Sequence, residues 1–145
     1  MKIYPLLLAL LLAAAMVAAR ALGEGFDLPR GPFVWPGLAL MVAGALLVLW
    51  SAGIFRRHDT TLNPQGKPSA LATQGLYRWS RNPMYLGMLL GLLGLALLLG
   101  NVLQLAGPVL FAAITARQIR HEEAVLEQCF GADYLNYKSR VRRWF

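Results

Sequence analysis

Three blocks of the chain carry no charged residue: Ile3–Ala19, Gly31–Phe55 and Asn82–Ala116. Between and beyond them, charges and turn-forming residues are crowded together. A membrane-crossing helix needs about 20 mostly apolar residues to cover roughly 30 Å of hydrocarbon. The first two blocks each fit one such helix. The third, 35 residues long, is too long for one span and suits two short ones, with Gly100-Asn101 and Gly107-Pro108 as places to turn. The pattern predicts an all-α integral-membrane bundle of four transmembrane spans, at about 3–22, 33–55, 83–99 and 104–120. A cytoplasmic loop over 56–82 and a tail over 121–145 complete a single domain.

Composition agrees with a bilayer. Hydrophobic residues make up 57% of the 145 and charged residues 14%, against about 25% charged in soluble domains. Lys2, the first apolar run and "AAAMVAA" also resemble a secretory signal with its cleavage site. The run is long for a signal, and the other spans offer it partners, so a retained span is the expectation. With the N-terminus inside and four crossings, 12 of the 14 Lys and Arg residues face the cytoplasm. Only Arg20 and Arg30 face out, beside Glu24 and Asp27. Both termini, and any site near Arg81 or in the tail, are then cytoplasmic, as in a bacterial inner-membrane protein. The net charge of +7 is explained by orientation, without a nucleic-acid partner.

One cysteine, Cys129, excludes an internal disulfide and a multi-cysteine metal site. His58 and His121 have no metal-ligand spacing, so no metal is expected, and no phosphate loop or nucleophile elbow is present. The segment from Arg56 to Pro83 is broken by Pro64, Gly66, Pro68 and Gly75 and predicts turns and short helical pieces. Past the fourth span a helix continues without a breaker to Gly131, a plausible C-cap. A further helix follows, with Tyr134, Tyr137 and Val141 on one face. It reads as an amphipathic interfacial helix, with Trp144 and Phe145 among lipid headgroups.

Three features carry chemistry. In Arg81-Asn82-Pro83-x-Tyr85-x-Gly87, Pro83 fits the first helical turn and Asn82 can cap it. With Arg81 beside it, that helix start is an anion site suited to carboxylate or phosphate, although a plain helix start with a positive flank explains the same residues. Gly87, Gly91 and Gly94 share a face of the third span. That face serves close helix packing, a groove where a ligand meets bare backbone, or both. Glu122-Glu123, just beyond the fourth span, oppose the positive-inside trend. Glu123 can pair with Arg120 at i−3 on a solvated face, while Glu122 points about 100° away. A hairpin of the last two spans returns Arg81 and the two glutamates to one membrane surface. The resulting pocket, anion-binding at one end and cation-binding at the other, suits a zwitterion such as the amino-acid portion of a cofactor.

The stretches "LATQGLYRWSRNPMYLG" and "RHEEAVLEQCFGADYLNYKSRVRRWF" resemble the isoprenylcysteine carboxyl methyltransferase family and the related phospholipid methyltransferases. The resemblance covers roughly Thr60 to Phe145, and the first two spans match only as generic hydrophobic helices. It implies an integral-membrane methyltransferase that uses S-adenosylmethionine without a Rossmann domain. It places Arg81, Asn82, Pro83, Tyr85, Gly87, Glu122 and Glu123 around the cofactor, with Gly91 joining them if the glycine face is the groove. Arg81 and Glu123 are the candidate catalytic residues, with Arg81 expected on the cofactor carboxylate and one of the two glutamates on its amino group. Eukaryotic carboxyl methyltransferases carry His where this chain has Asn82, which can donate a hydrogen bond but cannot carry a proton.

Methyl transfer from a sulfonium depends mostly on alignment of the nucleophile, and the faces of aromatic residues such as Tyr85 favour the positive sulfonium. A carboxylate acceptor needs no base, whereas an amine must first lose its proton. The expected acceptor is a lipophilic small molecule or lipid entering from the bilayer, with an isoprenoid thioether carboxylate ahead of a phospholipid amine. A non-catalytic membrane scaffold is the alternative from another class. The oligomeric state is left open by the residues.

Overall fold

In the computed structural model, residues 4–23, 25–57 and 71–144 are described. Expectations resting on Lys2, Glu24, His58, Pro64, Gly66, Lys67, Pro68 and Phe145 lie outside them, as do the side chains of Arg30, Arg56 and Arg57. Four helices follow in order: α1 Pro5–Ala21, α2 Arg30–Arg57, α3 Pro83–Leu99 and α4 Ala106–Arg140. Among the described residues there is no named strand. Short 3-10 turns at Gly75–Arg78 and Val102–Leu105 lead into α3 and α4. Two segments, Gly31–Ile54 and Val102–Arg140, are long and apolar enough to cross a membrane, and the apolar helices α1 and α3 are shorter, at 17 residues each.

The helix ends follow local chemistry. Pro83 opens α3, where its missing N–H costs nothing. Gly100 closes it in the left-handed region (φ 63°, ψ 40°), which glycine enters without steric penalty. Asn101 accepts a 2.9 Å hydrogen bond from the Leu103 amide and so caps the following turn. Gly107-Pro108, by contrast, lies buried within the first turn of α4 and makes no loop. At Gly131 (φ 49°, ψ −120°) the backbone leaves helical geometry, and a second helical piece runs on to Arg140 at a new angle.

Both helix connections at one end of the bundle are tied together. The Leu28 amide donates to Gly100 O (2.8 Å) and the Val102 amide to Phe26 O (3.0 Å). Arg20 donates from Nε to Leu99 O (3.0 Å) and pairs with Asp27 (3.1 Å). The residues around Arg81 and Glu122 therefore gather at the opposite end.

Helix α3 is the centre, packing on α1, α2 and α4. Its Tyr85, Met88, Leu92 and Ala96 meet Ala9 and Met16 of α1 and Phe111 and Ile119 of α4. Outward, Leu6, Leu10, Leu11, Val42, Leu46, Leu49 and Val109 are exposed, an apolar surface of the kind lipid tails cover. Trp144 turns inward and packs on the central core, contrary to the expected headgroup position. Tyr134, Tyr137 and Val141 likewise pack with Tyr77, Ile54, Leu71 and Phe130 in a second core. The apolar face of the last helix is thus satisfied by protein rather than by the interface.

Close approach of α2 and α3 uses glycines on both helices. A Cβ on Gly94 would lie 2.5 Å from Gly37 O and 2.8 Å from the Met41 amide nitrogen. A Cβ on Gly87 would lie 2.7 Å from Gly44 O, whereas one on Gly91 would meet nothing within 4 Å. Gly94→Ala should cost about 1–3 kcal/mol through overpacking against backbone. Gly91→Ala should be neutral or stabilising by up to about 1 kcal/mol, from helix propensity alone. Thermal unfolding of the two variants in detergent micelles checks the contrast, which vanishes if the face is open.

Candidate functional site

The approach to α3 places three consecutive polar residues against the chain's end. After Arg140 the backbone becomes extended (Val141 φ −117°, ψ 129°) and runs past Ser80–Asn82. The Arg81 amide donates to Arg142 O (2.9 Å), and Ser80 Oγ and Asn82 Nδ2 both donate to Arg143 O (3.3 and 3.2 Å). Asn82 does stand immediately before α3, but its side chain makes no capping bond to that helix. It is spent instead on the carboxyl-terminal strap, while Ser80 Oγ accepts from the Asn82 amide (3.2 Å).

This return brings two guanidiniums to one carboxylate. Arg81 Nη2 lies 3.1 Å from Glu123 Oε1, with the two side chains only 10% and 7% exposed. Arg143, 40% exposed, grips the same group with both fork positions, Nε to Oε1 at 3.1 Å and Nη2 to Oε2 at 2.7 Å. The hydrogen bond to Glu123 raises the Arg143 pKa above its ordinary value. Arg81 also donates from Nη1 to Lys138 O (3.0 Å). Glu123 is therefore paired with Arg81 and Arg143, not with Arg120 on a solvated face.

Glu122 has a separate environment, as its different direction around the helix requires. Its Oε1 accepts from Tyr85 OH (2.8 Å) and from Gln118 Nε2 (3.1 Å), and the residue is half-buried. Tyr137 OH, donating to Tyr77 O (2.7 Å), fixes the loop beneath the site. Burial pushes the Tyr77 phenol well above its usual pKa, so it stays neutral.

Arg81, Asn82, Tyr85, Glu122 and Glu123 thus meet at one end of the bundle, with buried Pro83 starting the helix that carries Tyr85. Gly87 is directed at α2, whose Gly44, Leu47 and Val48 occupy the space a ligand would need. Gly91 Cα lies 3.2 Å from where a Cβ on Gly44 would stand, so the glycine face is a helix seam. Sequence reasoning missed Arg143, the carbonyl of Lys138, and Gln118. Only Gln118 carried a readable signal, its i,i+4 spacing to Glu122. Of the four buried side-chain polar atoms without a hydrogen-bond partner among the described residues, two, Arg81 Nε and Tyr134 OH, lie at this end.

The sequence model of the phospholipid methyltransferase family matches residues 33–133, and the chain belongs to that family. It is 33% identical over 109 residues to the protein-S-isoprenylcysteine O-methyltransferase of Xenopus laevis, covering 72% of this chain and 38% of that protein. The Saccharomyces cerevisiae protein of the same name is 40% identical over 75 residues, 49% of this chain and 30% of that protein. An uncharacterized protein of Haemophilus influenzae is 47% identical over 62 residues, 42% of this chain and 98% of that protein. The chain spans well under half the length of the frog and yeast relatives it matches. No solved structure matches the chain.

The two adjacent glutamates should respond unequally to loss of charge. Glu123→Gln leaves a buried guanidinium uncompensated and should destabilise by about 3–5 kcal/mol. Glu122→Gln retains an acceptor for Tyr85 OH and should change stability by less than about 1 kcal/mol. Denaturant unfolding in micelles measures both, and equal losses would contradict the asymmetry.

Proposed function

We propose that the chain is an integral-membrane methyltransferase using S-adenosylmethionine, acting on a lipophilic acceptor at the cytoplasmic end of a four-span bundle in a bacterial inner membrane. The observation that carries this reading is the position of the family match. Residues 33–133 include Arg81, Tyr85, Glu122 and Glu123, the side chains that the fold gathers at one end. At about 1.5 Å per residue, the 17-residue helices α1 and α3 approach the hydrocarbon thickness. The apolar outward faces and the basic asymmetry support four crossings with both termini inside.

The chemistry of the cluster fits the amino-acid portion of the cofactor. Arg81 keeps a buried, unpartnered Nε–H, a donor for a carboxylate. Glu123 is engaged by two arginines, so its part is to hold Arg81 in place. Glu122, half-buried and bound, among the described residues, only by neutral donors, is the carboxylate assigned to an ammonium. Tyr85 orients Glu122 through its hydroxyl. Asn82 braces the carboxyl-terminal strap, and Pro83 sets the start of α3. When bound, S-adenosylmethionine supplies a methyl group activated by its sulfonium.

Acceptor choice follows from what the cluster contains. Among the described residues no histidine stands in it, and His121 is exposed, so an acceptor that arrives as an anion suits the site better than a protonated amine. We take the carboxylate of an isoprenylcysteine-like thioether as the leading acceptor, in line with the names of the relatives. Methylation of a phospholipid amine is the second reading, favoured by the family's description.

Calorimetric titration with S-adenosylmethionine should show binding by the wild type. Glu122→Gln should weaken it about tenfold or more, because a charge-assisted hydrogen bond contributes about 1.5–3 kcal/mol. No binding, or binding indifferent to Glu122→Gln, removes this assignment. Labelled methyl transfer to a prenyl thioether acid should give a base-labile ester that releases methanol, whereas label in a base-stable phospholipid selects the second reading.

A further inference from the structure

The two arginines do not share the Glu123 carboxylate evenly. Arg143 meets it along one edge of its guanidinium, with Nε 3.1 Å from Oε1 and Nη2 2.7 Å from Oε2. A bidentate fork of this kind is the strong way for a guanidinium to hold a carboxylate. Arg81 is left with a single contact to the same group, Nη2 to Oε1 at 3.1 Å. Its Nη1 points elsewhere, to Lys138 O (3.0 Å).

In a guanidinium, Nε–H and Nη2 lie along the same edge. A carboxylate seated on Nη2 therefore needs only its second oxygen to fill Nε as well. In Arg81 that edge is half used. Nε is buried and without a hydrogen-bond partner among the described residues, although Glu123 stands beside it. The cause is on the far side of the carboxylate. Oε2, the oxygen that would complete a side-on pair with Arg81, is held by Arg143.

Charge acts in the same direction. A carboxylate brought to Arg81 comes close to Glu123, and two like charges at one site repel. Arg143 supplies the second guanidinium that balances this repulsion. Its backbone is secured independently of its side chain. The Arg143 carbonyl accepts from Ser80 Oγ and Asn82 Nδ2 (3.3 and 3.2 Å), and the Arg142 carbonyl accepts from the Arg81 amide (2.9 Å). Replacing the 40% exposed Arg143 side chain should thus leave the strap attached and Glu123 still paired with Arg81.

We propose that Arg143 is a positioning residue for the cofactor: by occupying both oxygens of Glu123, it keeps the Nε–H of Arg81 free to donate to the cofactor carboxylate. The inference rests on the assignment of Arg81 to that carboxylate. Without Arg143, Glu123 closes side-on onto Arg81 and takes the donor itself.

Two measurements on the full chain in detergent test this. In nitrogen–proton correlation spectra without cofactor, the Arg81 Nε–H signal is identified by its loss in Arg81→Lys. In Arg143→Gln the signal should move downfield in the proton dimension, as Glu123 becomes its partner. An unmoved signal overturns the proposal. Calorimetric titration then compares S-adenosylmethionine with its decarboxylated form, which keeps the sulfonium and the amine but lacks the carboxylate. Arg143→Gln should weaken S-adenosylmethionine about tenfold, the worth of one charge-assisted hydrogen bond, and leave the decarboxylated form within about twofold. Arg143→Lys, a point charge without the fork, should recover part of the loss. Equal weakening of both compounds overturns the proposal, because the damage is then general. Wild-type binding that Arg143→Gln leaves unchanged also overturns it, while the cofactor reading stands. A wild type that binds neither compound overturns the cofactor reading and this inference with it.

Discussion

The buried carboxylate of Glu123 is the interaction on which the polar end of the molecule depends. A carboxylate this deeply buried carries a desolvation cost of several kcal/mol, offset only by good geometry and further hydrogen bonds. Here two guanidiniums approach it from separate parts of the chain, Arg81 from the start of α3 and Arg143 from beyond α4. Each is further anchored through the backbone, by Lys138 O for Arg81 and by Ser80 and Asn82 for the Arg143 carbonyl. The central charge therefore closes a loop between the two ends of the site. Around Glu123 itself, two guanidiniums stand against one carboxylate.

That closure needs two backbone conditions. Helix α3 must begin close to the strap, which Pro83 and the 3-10 turn at Gly75–Arg78 arrange. Helix α4 must turn back after its long straight run, and Gly131 permits this at φ 49°. Farther away, the glycine seam between α2 and α3 sets how deeply α3 sits. A shallower seat would move Tyr85 away from Glu122 and Arg81 away from Glu123 together. Packing at the centre and polar geometry at the end are coupled through one helix.

Much of this was legible in the sequence, for physical reasons that are local. Charge-free blocks gave the helices, and the starts and stops at Pro83, Gly100 and Gly131 followed from backbone preferences that belong to single residues. The meeting of Arg81 with the Glu122–Glu123 pair followed from hairpin topology. Partner choice was not legible. Arg120 stood at helical spacing from Glu123, yet Arg143, 20 residues away, took the contact because the kink redirects the tail. Trp144 and the Tyr134–Tyr137 face read as interfacial because aromatic residues suit both headgroups and cores. What lies beneath each decides between the two: Tyr77, Ile54 and Leu71 under the Tyr134–Tyr137 face, and the central core under Trp144. Asn82 stands at the capping position, but its side chain went to a carbonyl that no periodicity could have brought there.

Adjacent glutamates on one helix need not share a task, and this pair shows why. Successive residues on a helix point about 100° apart, so one carboxylate can be buried while its neighbour is half-open. Glu123 is saturated by cations and fixed by them. Among the described residues, Glu122 accepts from a phenol and an amide, donors that orient a carboxylate without neutralising it. Among the described residues, the Glu123 carboxylate thus has two cationic partners and the Glu122 carboxylate has none. A ligand with both signs of charge would meet complementary groups on entering, with no partner of Glu123 displaced. One carboxylate is thereby fixed as structure, while its neighbour lies on the half-open side, where the proposed cofactor ammonium would reach it.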